Sequence, residues 1–589
     1  MKQSCLVLPI AVLLVGVLGA LFPESSEADP SRPNVVLVIT DDQGYGDIAA
    51  HGNTMIRTPN LDRLHGQSIR LTDFHVDPTC SPTRSALMTG RYSTRTGVWH
   101  TIQGRSLMSP TELTLGEVFQ ANGYQTAMFG KWHLGDNAPL RPQDQGFETT
   151  IHHGGGGVGQ TPDWWGNDYF DDIYVHEDGR AEQFHDYCTD VWFQQTIKYV
   201  DQARKSDRPF FCYLATNAPH GPYYVSREEK QPYLDAGVPE PMASFYGMIT
   251  NIDRNLGFLM DRLEDWHLAE NTILIFMTDN GTAAGVARRR PQAQWQGFNA
   301  GMRGQKGSEY DGGHRVPFFI RWPNGKLTGG RDVKTLSAHI DVLPTLVDLC
   351  GLTKPDGPPL DGMSLVPALS KPDVEFPSRT LFVHSQRIET PEKWRLSSVL
   401  TDRWRLVNGK ELFDIRADPG QQSNVASANG EVVQRLRAAY DEWWQSLVPV
   451  FDEHVRIDLG NPAEPISHLT CHDWLVESND APLVPWNQQQ VAQDLERNGV
   501  WAVNVVQPGT YELTLRMRPG GVISNLPQGT ARMRIGDQQT STPIQPGDFK
   551  AVLKAELPAG PAMLQTWLEA DSGESRGAYF VDVRLLETE

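Results

Sequence analysis

The chain has 589 residues, with 52 Lys and Arg against 72 Asp and Glu and a formal net charge of −20. That length divides among two or three domains, and 39% apolar with 21% charged residues suits a folded chain rather than a disordered one. The acidic balance excludes a nucleic-acid binder, which needs a basic face for phosphate, and 53 Gly with 41 Pro speak against a helix bundle.

Lys2 is the only charge before an apolar run from Cys5 to Phe22, and Ser26 and Ala28 stand at −3 and −1 of a cleavage point after Ala28. Residues 1–28 therefore read as a secretory signal peptide, the alternative being an uncleaved anchor. Pro9 and Gly16 interrupt the run, which is short for a stable span. The expectation is an exported protein, periplasmic or secreted, with no membrane attachment after cleavage. Cleavage removes Cys5 and leaves Cys80, Cys188, Cys212, Cys350 and Cys471, so at least one cysteine stays outside an intrachain disulfide.

Asn34 to Thr40 (NVVLVIT) is a continuous β-branched run of the kind buried on both faces of a parallel sheet, and it ends in Asp41-Asp42. Gln125 to Gly130 ends in Lys131-Trp132-His133, and Pro209 to Thr216 leads into Asn217-Ala218-Pro219-His220. Thr272 to Thr278 (TILIFMT) repeats the first design and ends in Asp279-Asn280. Helical patterns lie between them, such as Ile249, Ile252, Leu256, Leu259 and Leu263 on one face. Alternating strands and helices predict an α/β fold with a mostly parallel sheet flanked by helices, and ligands of such sheets bind beyond the strands' carboxyl ends. Asp-Asp and Asp-Asn offer only oxygen, the donor that Ca²⁺ or Mg²⁺ prefers. Adjacent buried carboxylates also repel unless a cation lies between them. Helix caps or turns are the competing reading for either pair alone.

Cys80-Ser81-Pro82-Thr83-Arg84, followed by Ser85 to Arg91, resembles the signature of type I sulfatases, members of the alkaline phosphatase superfamily. Pro82 suits the first turn of a helix, which places Cys80 at a positive helix N-terminus beside Arg84. The resemblance runs from about Pro33 to Asn424. It includes Asp41 to Asp47, Gly130 to Gly135, Ala218-Pro219-His220, Thr278 to Gly281, Gly304 to Gly313 and Glu411 to Asp414. It implies that Cys80 is oxidised to 3-oxoalanine (formylglycine) by a formylglycine-generating enzyme. It further implies that Asp41, Asp42, Asp279, Asn280 and modified Cys80 bind a metal, Ca²⁺ or, less in keeping with the family, Mg²⁺. Arg84 then stabilises the nucleophilic oxygen and Lys131 and Lys306 hold sulfate oxygens. His220 protonates the leaving alcohol and His133 takes a proton from the second geminal hydroxyl, each such step being worth roughly 10²–10⁴-fold. His152 and His153, before Gly154 to Gly157, are candidates for a further sulfate contact or the histidines of a flexible loop.

The expected organisation is a catalytic domain over 29–375, a smaller C-terminal α+β subdomain over 376–455 and an all-β accessory module over 465–589. Val432, Val433, Leu436, Tyr440, Trp443 and Leu447 mark the amphipathic helix of the subdomain. Alternation at Trp501 to Val505 and Tyr511 to Met517, with later short runs, reads as a β-sandwich that binds carbohydrate or packs on the catalytic domain.

The implied activity is hydrolysis of sulfate esters, of a sulfated small molecule or oligosaccharide, with arylsulfatase activity. A phosphate or phosphonate ester hydrolase of the same superfamily and a non-catalytic glycan-binding protein are the alternatives. Trp164, Trp165 and Tyr169 beside Asp163, Asp168, Asp171 and Asp172 suit a sugar, and Arg288-Arg289-Arg290 suits further anionic groups.

Overall fold

In the computed structural model the described residues are 32–287, 295–371 and 376–586, so the predicted signal peptide and Arg288-Arg289-Arg290 lie outside them. A ten-stranded mixed sheet forms the centre. Its middle is the parallel set Thr272–Thr278, Asn34–Thr40, Phe210–Ala215, Gln125–Lys131 and Thr149–His153, in that spatial order. Antiparallel strands continue it on both sides.

The continuous apolar runs are explained by burial on both faces. Val35, Leu37 and Ile39 enter one core with Leu87 and Met88 of the helix Cys80–Thr89 and with Leu343 and Leu346. Val36 and Val38 enter the opposite core with Trp192 of the helix Cys188–Ala203 and with Ile252, Leu256 and Leu259 of the helix Met242–Asp265. Every residue from Val35 to Ile39 is shielded, and each fully buried aliphatic side chain contributes about 1.5–3 kcal/mol.

Four antiparallel strands, Leu381–His384, Ser397–Leu400, Trp404–Val407 and Glu411–Asp414, form the next sheet. The helix Gly430–Leu447 covers it with Val433, Leu436, Tyr440, Trp443, Trp444 and Leu447. Val432 is only half-buried, and Trp444 takes the place expected of it.

Two further sheets make the C-terminal sandwich. One is ordered Ile457–Leu459, Trp501–Val505, Gly560–Ala570, Gly529–Ile535, Gln538–Ile544, and the other Ile466–Thr470, Phe580–Leu585, Gly509–Arg516, Ala551–Leu557. The first of these strands precedes residue 465, because Ile457–Leu459 pairs in parallel with Trp501–Val505. Ile102, Leu107 and Leu140 of the catalytic domain belong to the sandwich's own apolar cluster. This is packing on the catalytic domain rather than attachment by a tether.

Among the described residues all five cysteines are buried and unpaired, and no helix is long and apolar enough to cross a membrane.

Candidate active site

Sheet register brings the predicted polar clusters together. Thr40 lies opposite Thr278, Ile39 opposite Ala215, and Gly130 opposite Ala215, so the strands end at one level. Backbone bonds tie the ends across: Asp279 N–H donates to Thr40 O at 3.0 Å and Asp41 N–H to Ala218 O at 3.2 Å. Cys80 is the first residue of the buried helix Cys80–Thr89, whose first turn carries no acidic side chain. The orphan N–H groups and dipole of that turn favour an anion, with no acidic side chain of the turn to compete for them. Lys306 arrives from a distant loop, held where Lys306 N–H donates to Thr282 O at 3.1 Å and Gly307 N–H to Pro78 O at 2.8 Å.

The floor is an ionic cluster. Arg84 donates from one NH2 to Asp279 Oδ2 at 2.9 Å and from NH1 to Lys131 O at 3.0 Å. Lys131 Nζ is 2.5 Å from Asp41 Oδ2, and Lys306 Nζ is 2.5 Å from Asp42 Oδ1. Asn280 Nδ2 donates to Asp42 Oδ1 at 2.9 Å, which turns its carbonyl oxygen away from Asp42. Neither Asp41-Asp42 nor Asp279-Asn280 caps a helix. They meet each other, with Asp42 N–H donating to Asp279 Oδ1 at 3.0 Å.

The donor set fits a hard divalent cation. Ligand atoms of Asp41, Cys80 and Asp279 lie within 4.8 Å of one another. Asp41 Oδ1 and Asn280 Oδ1 are buried without a hydrogen-bond partner, an arrangement that costs free energy unless something positive meets them. Burial, then Asp279, pushes the Asp41 carboxyl well above its ordinary range in spite of Lys131, and a further cation would return it to the ionised form. Burial also pushes Asp42 up, but Lys306 and His220 overcome it and hold that carboxylate below the usual range. Three carboxylates against Arg84, Lys131 and Lys306 leave the cluster near neutral, so a divalent cation gives it the positive surplus that attracts an anion. A second group, Asp73, His75 and Asp311, also has its ligand atoms close together. There the Arg405 guanidinium already fills the position, 2.7 Å from Asp73 and 3.2 Å from Asp311.

Both predicted acid–base histidines reach the site. His133 Nε2 lies 2.9 Å from Thr101 O, and since a carbonyl only accepts, Nε2 carries the hydrogen and the unpartnered Nδ1 is the basic atom. Burial, then Lys131, keeps this ring well below the usual imidazole range and hence neutral. His220 Nδ1 donates to Gly221 O at 2.6 Å, which leaves Nε2 facing Asp42 Oδ2 at 3.8 Å. Burial, then Lys306, lowers His220 to about 3, so its free nitrogen is unprotonated in this state.

The glycine run is largely buried rather than solvated, and the structure separates its two histidines. His153 is buried opposite Lys131 in the sheet, and burial, with Lys131 among the charges around it, lowers it to about 3. His152 is buried on the other side, with Arg141, Asp144 and His176 as its charged neighbours. The glycines pack on the rings of His133 and His220. A Cβ on Gly156 would lie 2.0 Å from His133 Cε1, and one on Gly157 would lie 3.1 Å from the His220 ring. Gly156 N–H donates to Gln160 Oε1 at 2.9 Å, and Gly155 N–H to Asp136 Oδ1 at 3.0 Å. Sequence reasoning missed Gln160, Asp136 and Thr101. The run of four glycines was the signal, because such a run marks close approach as well as flexibility.

The Thr161 to Asp172 segment is also corrected. Tyr169 is fully buried, its hydroxyl donating to His220 O at 2.6 Å, so it offers no face to a sugar. Asp163 and Asp172 are buried and turn inward onto backbone N–H groups of Gly159, Trp164, Asp168 and Tyr169. Trp165 packs against the sandwich with Arg518 5.8 Å over its ring. Trp164, Asp168 and Asp171 remain exposed.

A family model described as Sulfatase matches residues 33–352, and one described as N-sulphoglucosamine sulphohydrolase, C-terminal, matches residues 305–443. N-acetylgalactosamine-6-sulfatase of Canis lupus familiaris is 30% identical over 478 residues, covering 71% of this chain and 87% of that protein. Arylsulfatase G of Rattus norvegicus is 29% identical over 464 residues, covering 70% and 84%. The solved structure of Ps i-CgsB in complex with k-i-k-neocarrahexaose superposes with a TM-score of 0.62 at 27% identity, covering 70% of this chain and 92% of that one.

Proposed function

Because the chain belongs to the type I sulfatase family and is a sulfuric ester hydrolase, we propose that it removes sulfate from a sulfated carbohydrate, with Cys80 acting as 3-oxoalanine beside a bound Ca²⁺. The observation that carries this reading is the position of Cys80. It sits at the start of a buried helix, four residues before Arg84, with its sulfur within 4.8 Å of carboxylate oxygens of Asp41 and Asp279. The carbohydrate assignment rests on the relatives: one is named for a sulfated amino sugar, and one structure holds a neocarrahexaose.

Asp41, Asp42, Asp279 and Asn280 would hold the cation, which when bound supplies Lewis-acid polarisation of a sulfate oxygen. Modified Cys80 supplies the attacking oxygen of a hydrated aldehyde. Arg84, anchored at two points, does not reorganise as charge develops on that oxygen. Lys131 and Lys306 flank the cluster and orient the sulfate through its oxygens. His133 accepts a proton at Nδ1, since Thr101 already fixes the tautomer. His220 must gain a proton at Nε2 before it can give one to the leaving alcohol. The charge of bound sulfate offsets Lys306, whose repulsion holds His220 down second only to burial, and so loads that proton.

Peptide mass spectrometry of active protein should find Cys80 as the aldehyde or its hydrate, and Cys80→Ala should abolish turnover with the fold intact. Unmodified thiol throughout fully active enzyme would overturn the mechanism. Prolonged chelation should lower activity and Ca²⁺ should restore it better than Zn²⁺, since the site offers oxygens rather than imidazole. Matched aryl sulfate and aryl phosphate esters should show preference for sulfate.

A further inference from the structure

A cavity of about 1120 Å³ opens beside the ionic cluster and meets it at Lys306. Pockets for drug-sized ligands run about 300–1,000 Å³, so this one has room for more than the ring that carries the scissile ester. Its lining also draws on three other parts of the chain: His100 of the catalytic domain, Arg387 and Arg395 of the smaller subdomain, and Leu483 of the sandwich.

His100 is almost fully buried, and both backbone N–H groups of Thr101 and Ile102 donate to its Nδ1, at 2.7 and 3.2 Å. Nδ1 is therefore the acceptor nitrogen, so the hydrogen is on Nε2, and that N–H is buried with no partner among the described residues. An orphaned buried donor is costly and marks a place where something is meant to accept. Arg395 is half-buried and uses one nitrogen on Ser385 O. Arg387 is exposed and has no ion-pair or hydrogen-bond partner among the described residues. The two guanidinium groups repel each other, and both bear on His100.

Other wall charges are already committed. Arg303 stacks 3.7 Å over the Tyr310 ring, and Glu309, the carboxylate among the described lining residues, accepts from Asn408 Nδ2 at 2.8 Å. Arg387, with no ion-pair partner among the described residues, Arg395, with the opposing charge of Glu392 nearby, and an unpaired N–H converge on one cavity of a chain of net charge −20, an arrangement suited to an anion.

We propose that His100, Arg387 and Arg395 form a second anion subsite that holds a further sulfate or carboxylate of the substrate while the scissile sulfate lies at Lys306. The inference rests on the sulfatase reading and extends it from a sulfated carbohydrate to one with at least two anionic groups. Arg387 and Arg395 act on binding of the distal group and take no part in the chemical step.

The test uses full-length protein with mature Cys80 and, separately, Cys80→Ala protein for direct binding by calorimetry. The probes are an aryl monosulfate, a monosulfated disaccharide, and the same disaccharide with a second sulfate or with a uronate carboxylate. Arg387→Ala alone, and with Arg395→Ala, should raise KM and Kd on the dianionic disaccharides by about tenfold or more. Both constants should stay within twofold on the aryl monosulfate and the monosulfated disaccharide, with kcat retained. A sulfate-only or uronate-only response identifies the distal group. Equal losses on all probes, or no change with the dianionic ones, would overturn the subsite. Arg387→Ala keeps the result readable if the double variant folds poorly, because Arg387 has no hydrogen-bond or ion-pair partner to lose among the described residues. Failure of the mature parent protein to turn over any sulfate ester would refute the underlying reading instead. The calorimetric comparison on Cys80→Ala protein judges the subsite without turnover.

Discussion

The floor of the site and the layer that closes over it are held in different ways. Asp41, Asp42, Lys131, Asp279 and Asn280 stand at or just past the ends of paired parallel strands, so register alone fixes their spacing. The closing layer comes from Gly155 to Gly157, Thr101 and the sandwich, and a few hydrogen bonds between loops, with apolar packing at Ile102, Leu107 and Leu140, hold it: Gly155 to Asp136, Gly156 to Gln160, Gln103 N–H to His472 O at 2.8 Å. A floor built on a core sheet tolerates change around it and fails when its own charges change. A layer built on close approach fails when a single methyl group is added. Substitutions that separate these two kinds of failure test the comparison.

The largest effect should come from the floor. Asp41→Asn keeps the shape but removes a charge from the cation site. Turnover should fall by about 10³-fold, the order seen when a charge-stabilising group is lost from a preorganised site. Calcium content should fall with it, and added Ca²⁺ should raise the Tm of the parent protein but not that of the variant. Parent-like calcium content in the variant would remove Asp41 from the ligand set.

Gly156→Ala should come next, with kcat down by about 10²-fold through displacement of the His133 ring, on the scale of a 1 Å misplacement. Gly66→Ala has open space around its Cβ and should leave kcat unchanged. Calcium content should be the same in both variants, since neither touches the floor. A parent-like kcat for Gly156→Ala would show that the loop yields and does not position the base.

The different legibility of the two layers follows from the same physics. NVVLVIT and TILIFMT announce buried parallel strands by composition, and once they pair, the residues after them must meet. Cys80, Arg84 and Lys306 were readable through a motif. Nothing in the order of residues says that Tyr169 turns inward to His220 O, 51 positions on, or that Trp165 packs on the sandwich, hundreds of positions away, because both depend on a surface formed by parts of the chain distant in sequence. The β pattern after Trp501 was plain from alternation, while its union with Ile102, Leu107 and Leu140 was not, since three isolated apolar residues in a loop carry no period.

That union predicts a stability effect. Ile102→Ala, in the catalytic domain, should cost about 2–5 kcal/mol, as for other buried large-to-small changes, and should lower the unfolding temperature of sandwich and catalytic domain together. Calorimetry should show one cooperative transition. Two transitions, with only one shifted, would mean that the sandwich folds as a separate unit.

The smallest effect concerns pH. Asp136 holds the Gly155 N–H, yet burial, and then Asp473 from the sandwich, raises its pKa to about 7 from an ordinary 3.8, outweighing that hydrogen bond. A carboxyl with a raised pKa in the folded state binds a proton there between about pH 4 and 7 that the unfolded chain has released. Its contribution to stability is therefore lost as pH rises through that window, and the penalty is complete above about pH 7. Asp136→Asn abolishes this titration. Relative to the parent, the variant should gain Tm at pH 8 and gain little or nothing at pH 5. Part of Asp136 still meets solvent, so the slope should be shallower than a full shift of that size implies. The amide can still accept from Gly155, so kcat should change by no more than a few-fold, in contrast with Gly156→Ala. The same Tm difference at pH 5 and pH 8 would show that Asp136 does not titrate in the folded protein between them. The sandwich would then bear on the closing layer through contact alone and not through charge.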